Sequence, residues 1–134
     1  MNTLDILNFM QDCGARIGAD EVTLIEDYFD QMIKDKRVHV LYEQSEPIAI
    51  IAFSLSNDYF PYYVKDIWEY MPHDKFSDTV YIEKLIAKKW NGRLRRLFSQ
   101  KLVEQFPQLV RGIWHKARAS EDDLITTHRR FTYV

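Results

Sequence analysis

A chain of 134 residues, 46% hydrophobic and 14% aromatic, suits one domain with a core of its own. Four glycines and four prolines exclude low-complexity disorder, and the single cysteine, Cys13, excludes an internal disulfide and a cysteine-based zinc site. The net charge of −2 hides a division: residues 1–79 hold 6 Lys/Arg against 15 Asp/Glu, residues 80–134 hold 12 against 5.

Such asymmetry points to an anionic partner for the C-terminal half, or to two halves that complement each other in the fold. No apolar run approaches the roughly 20 residues of a membrane span. The opening MNTLDILNFMQD lacks the basic region of a signal peptide, and a reducing, cytoplasmic setting is expected.

The spacing predicts a helix over 3–13, with Leu4, Leu7 and Met10 and the row Ile6, Met10 and Cys13 on one side. Asn2 or Thr3 can cap it and Gly14 can end it. A second helix is predicted from 21 to 36, capped by Asp20 and buried through Val22, Ile25, Phe29, Met32 and Ile33. Its outer acids, Glu26, Asp27 and Asp30, read as solvated charges; no histidine joins them, and no metal site is expected.

Residues 38–43 and 48–55 read as a hairpin around Gln44, Ser45, Glu46 and Pro47. Residues 59–70, YFPYYVKDIWEY, carry Tyr62, Tyr63, Trp68 and Tyr70, which suit either core packing or one wall of a pocket. Residues 71–78 read as a loop.

The organising stretch is 79–106. Residues 80–87 are apolar on both faces, as in a central strand covered on both sides. The turn Lys88, Lys89, Trp90, Asn91 and Gly92 leads into a helix from Arg93, with Leu94, Leu97, Phe98, Leu102 and Phe106 on one stripe. A helix that starts after a buried strand aims free N–H groups and its positive dipole end at the sheet edge, which suits an anion. Gly92 allows close approach, and Lys88, Lys89, Arg93, Arg95 and Arg96 add charge; the alternative is a tight turn with a solvated basic face. Residues 109–117 and 124–134 read as further strands, with a polar turn over 118–123. The strand–helix–strand unit calls for parallel strands joined by a right-handed crossover, and the fold class is mixed α/β.

In this order of elements, and in the run Lys89, Trp90, Asn91, Gly92, Arg93 and Leu94, the chain resembles the GNAT family (GCN5-related N-acetyltransferases). That family's motif is Gln or Arg, two residues, Gly, one residue, then Gly or Ala. Lys89 stands at its first position and Leu94 at its last, and Leu97 and Phe98 fall where the family has paired leucines. The resemblance covers residues 20 to 134 and implies one GNAT-like domain over 1–134, a divergent or reduced member.

It implies an acyltransferase that moves an acetyl or other acyl group from acyl-CoA to an amine acceptor. The CoA pyrophosphate would meet the amides of Gly92, Arg93, Leu94 and Arg95, with Lys89 beside them, and the pantetheine arm would pair with the backbone of Leu85 and Ala87. Glu83 is the candidate proton acceptor, or else a strand charge paired with Lys84, Lys116 or Arg111. His115 and Tyr133 are the other catalytic candidates. The alternatives are a catalytically inactive GNAT-like module that binds a protein, and a nucleic-acid-binding module in which Trp90 stacks on a base amid Lys88, Lys89 and Arg93.

Overall fold

The computed structural model describes residues 1–56, 68, 70, 73–116 and 125–130, with side chains through residue 112. The order is α1 (Thr3–Asp12), α2 (Ala19–Lys34), β1 (Val38–Glu43), β2 (Glu46–Leu55), β3 (Thr79–Ala87), α3 (Gly92–Gln105), β4 (Arg111–Lys116) and β5 (Ile125–Arg130). Residues 118–123, most of 59–70, and Tyr133 lie outside the described residues.

α1 opens on a reciprocal cap: the Asp5 amide donates to Asn2 Oδ1 at 2.9 Å, and the Asn2 amide to Asp5 Oδ2 at 3.0 Å. It ends at Gly14, whose φ of 90° suits the left-handed residue of a helix stop. Leu4, expected inside, is 64% exposed, because the buried row runs through Ile6, Phe9 and Met10 instead. α2 starts two residues earlier than its pattern suggests: Gly18 is the N-cap, and Asp20 and Glu21 both lie in the first turn, where they complement the dipole. Its last turn closes with the Lys36 amide on the Ile33 carbonyl and the Arg37 amide on the Met32 carbonyl. Lys36 takes the left-handed position at φ 58°, and this closure delivers Arg37 to the sheet.

β1 and β2 meet through two residues, Gln44 and Ser45, both with positive φ (50° and 68°), the turn whose twist matches a hairpin. Glu46 and Pro47 therefore belong to β2 rather than to the turn.

The five described strands lie in the order β1-β2-β3-β4-β5, and among them only β3 and β4 are parallel. α3 joins that parallel pair, as the strand–helix–strand pattern predicts. The helices cover opposite faces. α1 and α2 pack Ile6, Phe9, Met10, Ile25, Tyr28, Phe29 and Met32 against Ile50 and Ala52. On the other face, Leu94, Phe98 and Leu102 of α3 pack against Ala49, Ile51, Phe53, Leu55, Val80 and Ile82. β2 is buried on both sides from Ile48 to Leu55, which is why its sequence is a continuous apolar run. Trp68 completes the α1–α2 face, with its ring 5.5 Å from Tyr28 and 5.7 Å from Phe29.

Candidate functional site

Three features meet around the C-terminal half of β3. The first is the start of α3. Asn91 is extended and caps the helix through Oδ1, which accepts the Leu94 N–H at 3.0 Å; the Arg95 N–H goes to the Asn91 carbonyl at 3.0 Å. Of the four amides expected to meet an anion, those of Gly92 and Arg93 are the two without a partner among the described residues.

Gly92 has no positive φ, and a Cβ built on it meets nothing within 4 Å, so the turn itself does not demand glycine. The cations of the turn part company. Lys89 Nζ lies 3.4 Å from Glu43 Oε1, Arg93 bonds the same carboxylate, and Lys88 Nζ sits over the Phe9 ring at 5.4 Å. Glu43 comes from the acidic half of the chain, so part of the charge asymmetry is answered within the fold. Trp90 packs against the α3-side core.

The second feature is an open strand edge. β3 and β4 pair over three positions, ending at Tyr81↔Ile113, while β3 keeps its partner β2 as far as Ala87. The divergence has a local cause. The β2–β3 register shifts between Ala52 and Phe53, so that Phe53 faces Ile82, Ala52 faces Lys84, and Glu83 is the extra residue of a bulge. A bulge bends its strand and ends pairing on the far side.

Beyond it lies a cleft of about 390 Å³, lined by Met10, Arg16, Ile17, Glu21, Ile25, Trp68, Lys84, Leu85 and Ile86 among others. Successive strand residues point to opposite faces. The cleft lies on the α1–α2 side and touches β3 at Lys84, Leu85 and Ile86, past its last pair with β4. Ala87, the second strand residue expected at the site, packs at the α3-side core.

The third feature is a buried charge cluster that local sequence patterns did not reveal. Arg37 is fully buried; its Nε donates to the Phe53 carbonyl at 2.9 Å and its Nη2 to Glu83 Oε2 at 3.0 Å. Tyr28 Oη donates to Glu83 Oε1 at 3.2 Å, the Tyr70 ring covers the guanidinium at 4.7 Å, and Asp35 lies 3.8 Å from Nη1. Burial pushes the Glu83 carboxyl above its ordinary range, while Arg37 and the Tyr28 hydroxyl pull it back. The Tyr28 hydroxyl is raised by burial and by the Glu83 charge. Glu83 is thus partnered by Arg37 and Tyr28, neither of which was among its expected partners.

His115 stands on β4 opposite Thr126 of β5, beyond the last β3–β4 pair, and its side chain, like the whole of Tyr133, lies outside the described residues. Two other histidines are well placed. His39 Nε2 lies 2.7 Å from Gln105 Oε1, and since Gln105 Nε2 donates to the Lys36 carbonyl, the imidazole is the donor. His73 Nδ1 accepts the Leu55 N–H at 3.0 Å. Burial holds both below the ordinary histidine value. No cluster of three metal-ligating side chains occurs among the described residues, and no helix there is long and apolar enough to cross a membrane.

Comparison with protein-family models, curated proteins and solved structures returned no match.

Proposed function

We propose that the chain is a GNAT-like domain that binds an acyl-CoA along the open edge of β3 and passes the acyl group to an amine. One observation carries this reading. The parallel pair β3–β4 parts after Tyr81↔Ile113, and a cleft touches β3 beyond that point, at Lys84, Leu85 and Ile86. A released strand edge offers backbone N–H and C=O groups to the amides of a pantetheine arm. The amides of Gly92 and Arg93 open the helix that follows that strand, where the dipole favours a pyrophosphate. Lys89 and Arg93 are placed to exchange Glu43 for phosphate oxygens.

The acyl-transfer step forms an amide bond from the acceptor nitrogen to the acyl carbon and breaks the thioester. The amine loses a proton and the thiolate of CoA gains one. Glu83, the strand carboxylate nearest the cleft in sequence, serves this reading as proton acceptor only by giving up Arg37 or Tyr28.

That commitment favours a second reading, a GNAT-like module that binds a protein without transferring a group. Calorimetry with acetyl-CoA and with CoA separates the two. Gly92→Val is the control, since a Cβ at this position meets nothing within 4 Å, and its fold is checked alongside. Binding by the wild type, lost or strongly weakened in Gly92→Val and weakened by salt, supports the acyl-CoA site. No heat from the folded wild type at millimolar ligand rejects it in favour of the protein-binding module. A salt-dependent oligonucleotide shift would point instead to the basic half as a nucleic-acid surface.

A further inference from the structure

The cleft beside β3 has a lining that says what fits it. Its floor and walls are apolar: Met10 from α1, Ile17 from the α1–α2 connection, Ile25 from α2, Leu85 and Ile86 from β3, and Trp68. Three charged side chains share that lining: Arg16, Glu21 and Lys84. Lys84 is held with Nζ 4.4 Å above the Trp68 ring, which fixes the cation at the apolar wall. Arg16 is exposed and makes no hydrogen bond or ion pair with any described residue, so its fork of donors remains available.

An apolar floor bordered by Arg16 and Glu21 matches a small molecule that carries a carboxylate and an ammonium on an apolar body. The volume of about 390 Å³ lies within the range of pockets that hold such ligands. We propose that this cleft binds a free α-amino acid with a branched or aromatic side chain: carboxylate to Arg16, ammonium to Glu21, side chain onto Ile17, Ile25 and Trp68. The site stands on the cleft lining; that its occupant is the amine acceptor rests on the acyltransferase reading above.

Leucine is the probe, with leucinamide, which lacks the carboxylate, and 4-methylpentanoate, which lacks the amine, as comparisons. Binding to the full chain is measured by calorimetry and by ligand-observed NMR, with and without saturating CoA. Leucine is expected to bind about tenfold more tightly than either analogue, because each analogue forgoes one charge-assisted hydrogen bond. Arg16→Gln should remove the preference over leucinamide, and Glu21→Gln the preference over 4-methylpentanoate; both positions are exposed, and the fold of each variant is checked by circular dichroism. Equal binding of the three probes, unchanged preferences in the variants, or no leucine binding at about 10 mM with the fold intact each overturns the assignment. If acetyl-CoA binds and leucine does not, the cleft assignment falls and the acyltransferase reading stands. If leucine binds and acetyl-CoA does not, the reverse holds.

Discussion

Among the described residues, ion pairs at two places tie the acidic half of this chain to the basic half, and the two places have opposite surroundings. Arg37 and Glu83 meet in the interior, with side chains 0% and 6% exposed. Glu43 meets Lys89 and Arg93 at the surface, where both cations are 55% exposed. The buried pair is closed off from solvent and ties Glu83, the bulge residue of β3, to Arg37. The surface pair can be exchanged for another anion at little cost, as a phosphate site at the start of α3 requires. Burial, rather than the identity of the charges, separates a structural pair from one open to a ligand.

Breaking the buried pair should have the largest effect. Arg37→Met leaves Glu83 charged in the interior and removes the donor to the Phe53 carbonyl; a loss of about 3–5 kcal/mol is expected in urea unfolding. The double variant Arg37→Met with Glu83→Leu should recover most of that loss, since no uncompensated charge remains. A double variant as unstable as the single one would show that the Phe53 carbonyl bond, not the charge pair, is what matters.

A smaller effect sharpens the comparison through pH. The folded-state value of Glu83 is raised, so the protein binds this proton more readily folded than unfolded. The resulting stability is full below the unfolded value near 4.5 and is lost as the pH rises through the raised folded value. Wild type should therefore gain stability relative to Glu83→Gln on acidification toward 4.5. Urea midpoints of the two proteins across that interval test it, and a relative loss by wild type would reverse the assigned direction.

The surface pair should show the smallest effect on stability. Glu43→Gln is expected to change unfolding by less than about 1 kcal/mol, and by less still in high salt. The same variant should bind acetyl-CoA more tightly than wild type, because Lys89 and Arg93 no longer face a competing carboxylate. Equal affinities in calorimetry would remove these two cations from the phosphate site.

Much of the architecture was legible in the chain. The apolar run of residues 48–55 marked a strand, and the change of period after Gly92 located α3 within one residue. Residues 80–87, expected to be covered on both faces, are buried only as far as Ile82, and Leu85 is exposed. Asn2 and Gly14 marked the ends of α1 because capping depends on neighbours three or four positions away. Asp20 misled for a related reason: aspartate suits an N-cap and a first turn alike, and the following turn of α2 settled which it is.

The candidate site was legible only in part. The turn at Gly92 could be read from composition, but not that Asn91 and Glu43 would occupy some of its donors. Arg37 carried no pattern at all: it is one basic residue between a helix end and a strand, and its partner Glu83 lies 46 positions away. The cleft likewise draws its lining from α1, α2, β3 and Trp68.

Sequence alone determined the elements whose causes are local: the caps of α1, the hairpin, the buried strands, and the parallel crossover through α3. Periodicity and capping act over a few residues, and each leaves its mark where it acts. Only the tertiary structure decided where β3 bulges, which charges are buried, and where the sheet opens. Those depend on the register between strands and on side chains brought together from distant positions, and no stretch of the chain encodes such a pairing by itself.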